Sequence, residues 1–141
     1  MKHITLENVI RDKKVLVVDD VSVDAVLAKT LLQNIWIQPE NIHMAGNGID
    51  AISIAKQHLF DLILMDIQLP DVDGITAIKE IRAHYKEHSP KIIGYTAYDR
   101  KHVPWIETMD DIIFKPCNNT TFKNEMIKNL QAESHESLDI T

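Results

Sequence analysis

The sequence predicts an α/β fold built on a doubly wound parallel sheet, and two observations carry this prediction. Five short apolar runs recur along the 141 residues, and segments with helical spacing of apolar residues separate them. Runs that are apolar at consecutive positions suit strands that are covered on both faces, as in a parallel sheet. Repeated alternation of strand and helix implies right-handed crossovers with helices on both sides of the sheet. Such a sheet presents its reactive groups at the carboxyl ends of its strands.

The individual elements follow from the same patterns. The predicted strands are 15–18, 42–45, 62–65, 92–95 and 112–114, of which the second has the weakest pattern. The predicted helices have apolar residues at spacings of three and four, and they lie within 23–35, 49–55, 75–81 and 122–130. We expect Pro90 to help stop the third of these helices before the fourth strand.

The chain is predicted to be one domain with two short additions. The pattern covers residues 14–131, which leaves an N-terminal extension over 1–13 and a polar, acidic tail over 132–141. The apolar residues of the extension are compatible either with a short helix or with a strand that leans on the domain. The tail is polar enough to be a frayed end or a linker.

Composition excludes several classes of function. The formal net charge is −6, so the composition gives no electrostatic indication of direct binding to nucleic acid or to an anionic membrane. No apolar run approaches the roughly 20 residues that a transmembrane helix needs. Cys117 is the only cysteine, so an intrachain disulfide is excluded and a reducing, cytoplasmic location is expected.

Acidic residues follow two of the predicted strands. Asp19 and Asp20 follow the first strand, and Asp66 follows the third. In a parallel sheet these strand ends would be neighbours, so three carboxylates would converge on one small site. Like charges repel unless a cation neutralises them. Because all the ligands would be oxygen atoms, the sequence predicts a divalent cation, with Mg²⁺ the best fit.

Two further polar residues end the fourth and fifth strands. Thr96 adds a hydroxyl group, and Lys115 adds a mobile ammonium group suited to a phosphoryl oxygen. A metal, a carboxylate nucleophile, an ammonium and a hydroxyl together are typical of phosphoryl transfer, in which positioning and charge neutralisation do most of the catalysis. Any one of these groups alone would be a weak signal, but their order along four strands is a strong one.

Here the chain resembles a known family, the receiver domains of two-component response regulators and hybrid histidine kinases. The resemblance covers roughly residues 13–131. The matching stretches are VLVVDD at 15–20, LMDIQLPDVDG at 64–74, YTA at 95–97 and FKP at 114–116. The second stretch is very specific to the family. The resemblance implies the flavodoxin-like strand order 2-1-3-4-5.

The resemblance also implies a role for each residue of the acidic site and for its neighbours. Asp66 would be the phosphorylated nucleophile. Asp20 would bind Mg²⁺ directly and Asp19 through water, with Asp66 and the backbone carbonyl of Gln68 as further ligands. Thr96 would swing toward the phosphoryl group.

At the fifth strand, Lys115 would pair with that phosphoryl group, and the peptide bond between Lys115 and Pro116 would be cis, as in the family. Gln68 and Tyr98 occupy positions that tune the access of water. Ala97 is small, which would leave room for the incoming phosphodonor.

By the same resemblance, a phosphohistidine on a histidine kinase or histidine phosphotransfer domain would donate its phosphoryl group to Asp66. The acyl phosphate would later be hydrolysed, partly by the receiver itself, and the change would be passed to a downstream protein target. Whether the chain is a stand-alone regulator or part of a larger hybrid kinase is open. The sequence MDIQLP at 65–70 resembles that of hybrid kinases, which favours the kinase.

The chain departs from the family after the fourth strand. Many receivers carry Tyr or Phe three residues before the lysine, and here that position is Ile112. The segment from 96 to 115 is a few residues short, and Pro104 interrupts it, so the helix expected there would be short or irregular. Signalling through an inward-moving aromatic ring is therefore in doubt, and plain core packing of Ile112 is the alternative.

Other functions fit the sequence less well than a receiver that accepts a phosphoryl group. A pseudo-receiver would keep the fold as a binding module, but such proteins usually lose an acid, the nucleophile or the lysine, and all are present here. The pattern His-x-x-Glu-His at 84–88 fits a zinc site, yet Pro90 follows it at once and no third ligand is evident. No glycine-rich phosphate loop follows the first strand, which disfavours a nucleotide-binding protein.

Overall fold

A parallel sheet of five strands lies at the centre of the computed structural model, which describes residues 5–72, 74–97 and 109–132. The strands in chain order are β1 (Val15–Val18), β2 (Ile42–Ala45), β3 (Leu62–Met65), β4 (Lys91–Thr96) and β5 (Asp111–Phe114). Their order across the sheet is β2-β1-β3-β4-β5, and every neighbouring pair is parallel. The predicted fold class and strand order are therefore confirmed.

Helices cover both faces of this sheet. They are α1 (Leu6–Ile10), α2 (Ser22–Gln33), α3 (Gly48–Gln57), α4 (Gly74–Tyr85) and α5 (Asn119–Ala132). Apolar residues of α1, α2 and α5 form one core cluster with the sheet, and those of α3 and α4 form the other. The two-sided cover explains why the strands are apolar at consecutive positions rather than at alternate ones.

β1 illustrates how the two cores share one strand. Its four residues are all buried, with Val15 and Val17 in the cluster under α2 and α5, and Leu16 and Val18 in the cluster under α3 and α4. Successive side chains of a strand point to opposite faces, so a strand between two helical layers needs an apolar residue at every position. β3 follows the same rule.

Two element boundaries add detail to the sequence prediction. Residues 6–10 of the N-terminal extension form the helix α1, and the side chain of Ile10 is fully buried in the core. α4 ends at Tyr85, ahead of Pro90, because the chain turns through Lys86 with φ 57° into a short 3₁₀ turn, Lys86–His88. His84 and His88 therefore do not lie on one continuous α-helix.

Several sequence-based expectations concern residues outside the described part of the chain. These are the tuning role of Tyr98, the effect of Pro104 on the helix between β4 and β5, and the nature of the tail beyond 132. They stay predictions.

Candidate functional site

Three carboxylates converge at the carboxyl edge of the sheet. Asp19, Asp20 and Asp66 each offer an oxygen atom, and these atoms lie within 4.8 Å of one another. Asp19 and Asp66 are buried, with exposed fractions of 3% and 5%, whereas Asp20 faces solvent. The three acids that the sequence predicted to meet at this edge do meet.

The pairing of the strands explains their positions. Val18 pairs with Met65 in the register of β1 and β3, and the hydrogen-bond ladder continues one residue beyond the strands. The N–H group of Asp66 donates to the carbonyl of Val18 at 2.9 Å, and that of Asp19 donates to the carbonyl of Ala45 at 3.0 Å. The backbone of both acids is therefore held as firmly as the sheet itself.

Each buried carboxylate also accepts a hydrogen bond from the chain that follows it. Oδ1 of Asp19 accepts from the N–H group of Val21 at 2.9 Å, and Oδ1 of Asp66 accepts from the N–H group of Gln68 at 2.9 Å. One oxygen atom of each side chain is thus fixed, and the other is directed toward the shared site. This arrangement sets the orientation of the carboxylates before any ligand arrives.

Lys115 supplies the positive charge in the site. Its backbone N–H donates to the carbonyl of Thr96 at 2.7 Å, which continues the β4–β5 ladder. Its Nζ atom lies 2.6 Å from Oδ2 of Asp19, 3.1 Å from Oδ2 of Asp24 and 3.5 Å from Oδ2 of Asp66. One ammonium group therefore contacts three carboxylates drawn from three different parts of the fold.

The electrostatics of the site follow from this crowding. Burial raises the pKa of Asp66 to about 6, and Asp19 and Asp20 push it upward too, against the opposing effects of the Gln68 N–H group and Lys115. Burial also lowers the pKa of Lys115, but its carboxylate partners outweigh burial, so the net pKa of Lys115 lies above its usual value. Lys115 stays charged near neutral pH, and Asp66 takes up a proton only as the pH falls to about 6 and below.

Two residues near Lys115 were missed by sequence reasoning. Asp24 lies in the first turn of α2, and the ring of Tyr95 lies 4.8 Å from the ammonium nitrogen. Burial raises the pKa of Tyr95, so its hydroxyl stays protonated. The spacing of four between Asp20 and Asp24 was a weak signal, since it says nothing of a partner on a distant strand.

The remaining predicted residues lie around the same edge. Thr96 is the last residue of β4 and is fully buried, and Ala97 after it is exposed. Gln68 is exposed on the loop after Asp66. The Lys115–Pro116 peptide bond is cis. The roles assigned to these residues stay predictions.

Ile112 lies on β5, which β4 separates from the strand that Asp66 follows. It pairs with Gly94 in the β4–β5 register, and a Cβ atom on Gly94 would lie 3.4 Å from its side chain. The same Cβ atom would clash with the sulfur of Met109, at 2.5 Å. Ile112 therefore packs against the bare backbone of β4, which fits a packing role, and its part in switching stays a prediction.

The donor set fits a hard divalent cation. Asp19, Asp20 and Asp66 offer only carboxylate oxygen atoms, which Mg²⁺ prefers, and one of the three residues faces water that could complete the coordination. Burial and the neighbouring acids already raise the pKa of Asp66 in the presence of Lys115, so the site favours additional positive charge.

Comparison with known proteins agrees with this geometry. The family model described as the response regulator receiver domain matches residues 15–127. The chain belongs to the response regulator receiver family. The match includes the three acids, the threonine and the lysine described above.

The chain is also similar in sequence to segments of individual sensor proteins. The chain is 31% identical over 124 residues to the sensor protein GacS of Pseudomonas syringae, a match that covers 84% of this chain and 13% of GacS. It is 30% identical over 107 residues to the aerobic respiration control sensor protein ArcB of Escherichia coli, with coverage of 74% of this chain and 13% of ArcB. The receiver is thus related to segments of hybrid histidine kinases, and it spans only a small part of these relatives.

Solved structures give the same result. The response regulator TrrA of Thermotoga maritima, solved in complex with Mg²⁺ and BeF, has a TM-score of 0.72 and 31% identity, over 84% of this chain and 99% of TrrA. The receiver domain of the sensor histidine kinase PA1611 of Pseudomonas aeruginosa, solved with a magnesium ion in its active-site cleft, has a TM-score of 0.70 and 28% identity, over 85% of this chain and 95% of that one.

Among the described residues, no helix is both long enough and apolar enough to span a bilayer.

Proposed function

We propose that this receiver accepts a phosphoryl group from a phosphohistidine onto Asp66, in a reaction that depends on Mg²⁺, and that it works in the cytoplasm. The observation that supports the proposal most is the contact of Lys115 with both buried acids of the site, at 2.6 Å from Asp19 and 3.5 Å from Asp66. A receiver that had lost phosphoryl chemistry would have no need to keep a buried charge network that burial makes expensive.

In the proposed reaction, an oxygen atom of the Asp66 carboxylate attacks the phosphorus atom. The bond between phosphorus and the imidazole nitrogen breaks, and the nitrogen keeps the electron pair and takes up a proton. The product on Asp66 is an acyl phosphate, which water later hydrolyses. The bond from the Gln68 N–H group to Oδ1 of Asp66 leaves Oδ2 as the attacking atom.

Other residues would stabilise the charge on the phosphoryl oxygens. Lys115 is already on the Oδ2 side of Asp66, where the phosphoryl group would be attached. The hydroxyl of Thr96 would donate a hydrogen bond to the same group. Asp19, Asp20, Asp66 and the carbonyl of Gln68 would hold Mg²⁺, which would neutralise the negative charge that gathers on the phosphoryl oxygens.

The direct test is chemical labelling of the intact chain. With Mg²⁺ and acetyl phosphate, we expect the mass of the protein to increase by one phosphoryl group. The increase should disappear in EDTA and in the Asp66→Asn variant, while Asp50→Asn, which alters an exposed acid at the start of α3, should be labelled like the wild type. If folded wild type gains no mass and binds no beryllofluoride, the chain is a pseudo-receiver that acts through protein contacts alone.

The donor partner would dock on α2. This helix buries one apolar face in the core, but Val23, Val26 and Leu27 on its other side are 75%, 56% and 50% exposed. Leu27 also lines a cavity of about 300 Å³ that reaches Asp24 and Lys115. This apolar surface is therefore continuous with the phosphoryl site. It suits the apolar face of a helix that carries the phosphohistidine of a histidine kinase or phosphotransfer domain.

The Val26→Asp variant tests this docking surface. Because a charge would be buried against an apolar partner, we expect phosphoryl transfer from a phosphorylated phosphotransfer domain to slow by about tenfold or more. Labelling by acetyl phosphate, which needs no docking surface, should be unchanged. Leu59→Asp is the matched control, since Leu59 is 81% exposed and precedes β3, at the amino ends of the strands and away from the acidic site. Equal slowing by both variants would contradict docking on α2.

A further inference from the structure

The loop that follows Asp66 is anchored to a neighbouring helix by a carboxylate with no role assigned so far. Oδ1 of Asp71 accepts a hydrogen bond from the N–H group of Gly48 at 2.8 Å, and Oδ2 accepts from the N–H group of Ile49 at 3.0 Å. Both donors belong to the first turn of α3. Two oxygen atoms on two adjacent donors restrict both the position and the orientation of the Asp71 side chain.

This contact supplies what the start of α3 lacks. The first N–H groups of a helix have no partner within the helix and need acceptors from elsewhere. The side chain of Asn47 serves Asp50 alone, at 2.8 Å, which leaves the N–H groups of Gly48 and Ile49 for Asp71. The partial positive charge at the start of the helix also favours a carboxylate there. Asp71 therefore completes a helix cap from a segment 22 residues further along the chain.

The backbone of the loop lies as close to α3 as its side chains do. A Cβ atom at position 48 would lie 2.6 Å from the carbonyl oxygen of Val72, so the contact exists because residue 48 is glycine. At the other end of the loop, the N–H group of Gly74 donates to the carbonyl of Ile67 at 3.0 Å, and a Cβ atom on Gly74 would lie 2.5 Å from the carbonyl oxygen of Asp66. The loop is held at both of its ends and, through Asp71, in the middle.

Gln68 lies within this anchored loop, two residues after the phosphoacceptor and three before Asp71. It has no strand or helix of its own to fix it. Its N–H group is bound to Asp66 at 2.9 Å. On its other side, the chain runs over three residues to Asp71, where the hydrogen bonds to α3 hold it.

We propose that Asp71 is a positioning residue, which fixes the loop on α3 and so holds the Gln68 carbonyl in place as a ligand for Mg²⁺. The inference rests on the proposed function, because it assumes that the site takes up Mg²⁺ with this carbonyl among its ligands. Asp71 itself does not touch the metal or the phosphoryl group. It acts through the hydrogen bonds to Gly48 and Ile49.

Two variants separate this role from simple helix capping. Asp71→Ala and Asn47→Ala each remove acceptors from the start of α3, so each should lower the melting temperature by a few degrees, as loss of a cap commonly does. Only Asp71→Ala releases the loop. We therefore expect the dissociation constant for Mg²⁺, measured by calorimetry on the full chain, to rise about tenfold in Asp71→Ala, as is typical when a metal site loses a supporting contact. It should be unchanged in Asn47→Ala.

Amide hydrogen exchange gives a second measurement that does not depend on metal. Without Mg²⁺, the amides of residues 68, 69, 71 and 72 should exchange faster in Asp71→Ala than in either the wild type or Asn47→Ala. Equal Mg²⁺ affinity in the two variants, or equal exchange of this loop, would overturn the inference. A wild type that binds Mg²⁺ but gains no phosphoryl group would overturn the proposed function and leave the positioning role of Asp71 standing.

Discussion

Replacing Asp66 by asparagine is expected to make the metal-free protein more stable at neutral pH, although it removes the phosphoacceptor. Burial raises the pKa of Asp66 from 3.8 to about 6, so above that pH the fold must hold an unfavourable buried charge. Asparagine keeps the shape and an acceptor oxygen for the Gln68 N–H group but carries no charge. We expect the free energy of unfolding to rise by about 1–3 kcal/mol in EDTA at pH 7.5.

The sign of the pH dependence distinguishes this cause from others. Because the folded pKa is the higher one, the native protein binds more protons than the unfolded chain between about pH 4 and pH 6. The contribution of Asp66 to stability therefore falls as the pH rises through this interval and is lowest above it. Urea unfolding should show nearly equal stabilities of wild type and Asp66→Asn near pH 4 and a full difference above pH 7. The exposed Asp12 gives a control, since Asp12→Asn should change little at either pH.

If Asp66→Asn raised the free energy of unfolding equally at all pH values, the cause would be packing rather than charge. Added Mg²⁺ offers a further check, because it should stabilise the wild type far more than the variant and so reduce the difference.

Replacing Lys115 by methionine is expected to have the opposite and larger effect. The ammonium group is the partner of Asp19 and Asp66, and both acids are buried. Its removal would leave two like charges in a poorly solvated site, and the loss of one partner of a buried ion pair typically destabilises a protein by about 3–5 kcal/mol. We expect a loss of this order at pH 7.5 in EDTA, measured by urea unfolding.

A second measurement shows whether Lys115→Met loses stability through the lost charge or through lost packing. In Lys115→Met, Mg²⁺ should recover much of the lost stability, because a cation neutralises the acids. A pH well below the pKa of about 6 that Asp66 has in the wild type should do the same, because protonation removes the charge of Asp66. The matched control is Lys128→Met. Lys128 contacts Asp111 and Glu125 at 3.1 Å and 3.0 Å, but its side chain is 63% exposed, so its removal should change the free energy of unfolding little. If neither Mg²⁺ nor acid rescues Lys115→Met, the aliphatic part of the lysine and not its charge stabilises the site.

The sheet and most of the site could be predicted because they depend on short, local patterns. Strands covered on both faces need an apolar residue at every position, and the runs at β1 and β3 satisfy this rule in full. Once those runs are strands of one parallel sheet, the residues that follow them must share an edge. Asp19, Asp66 and Lys115 could therefore be placed together from their positions alone.

The contacts that were missed depend on the packing of one element against another. Asp24 reaches Lys115 across 91 positions of the chain, and Asp71 reaches Gly48 across 23. Neither carboxylate differs in type or spacing from an exposed acid on a helix or loop. The partner of Asp71 could not be found from the sequence, since the acceptor that the start of α3 requires can come from any nearby segment.

Local backbone geometry was also beyond sequence reasoning. α2 is followed by Trp36 with φ 78°, a conformation usually taken by glycine at the end of a helix. The choice between helix and strand for the N-terminal extension was open for a similar reason. Five residues are too few for a period to be recognised, and the burial of Ile10 against the domain decides the outcome.

Because Ile10 is buried in the core, the part of the chain that folds as one unit is longer than the part that carries the acidic site. Every residue of the acidic site falls within the family match, which begins at residue 15, but the core does not begin there. α1 contacts α5, and the carbonyl of Arg11 accepts a hydrogen bond from the N–H group of Gln38 at 3.4 Å. A boundary drawn at β1, where the family match begins, would keep all the chemistry and leave an apolar gap beside α5, so the first helix belongs with the domain whenever this receiver is recombined with other modules.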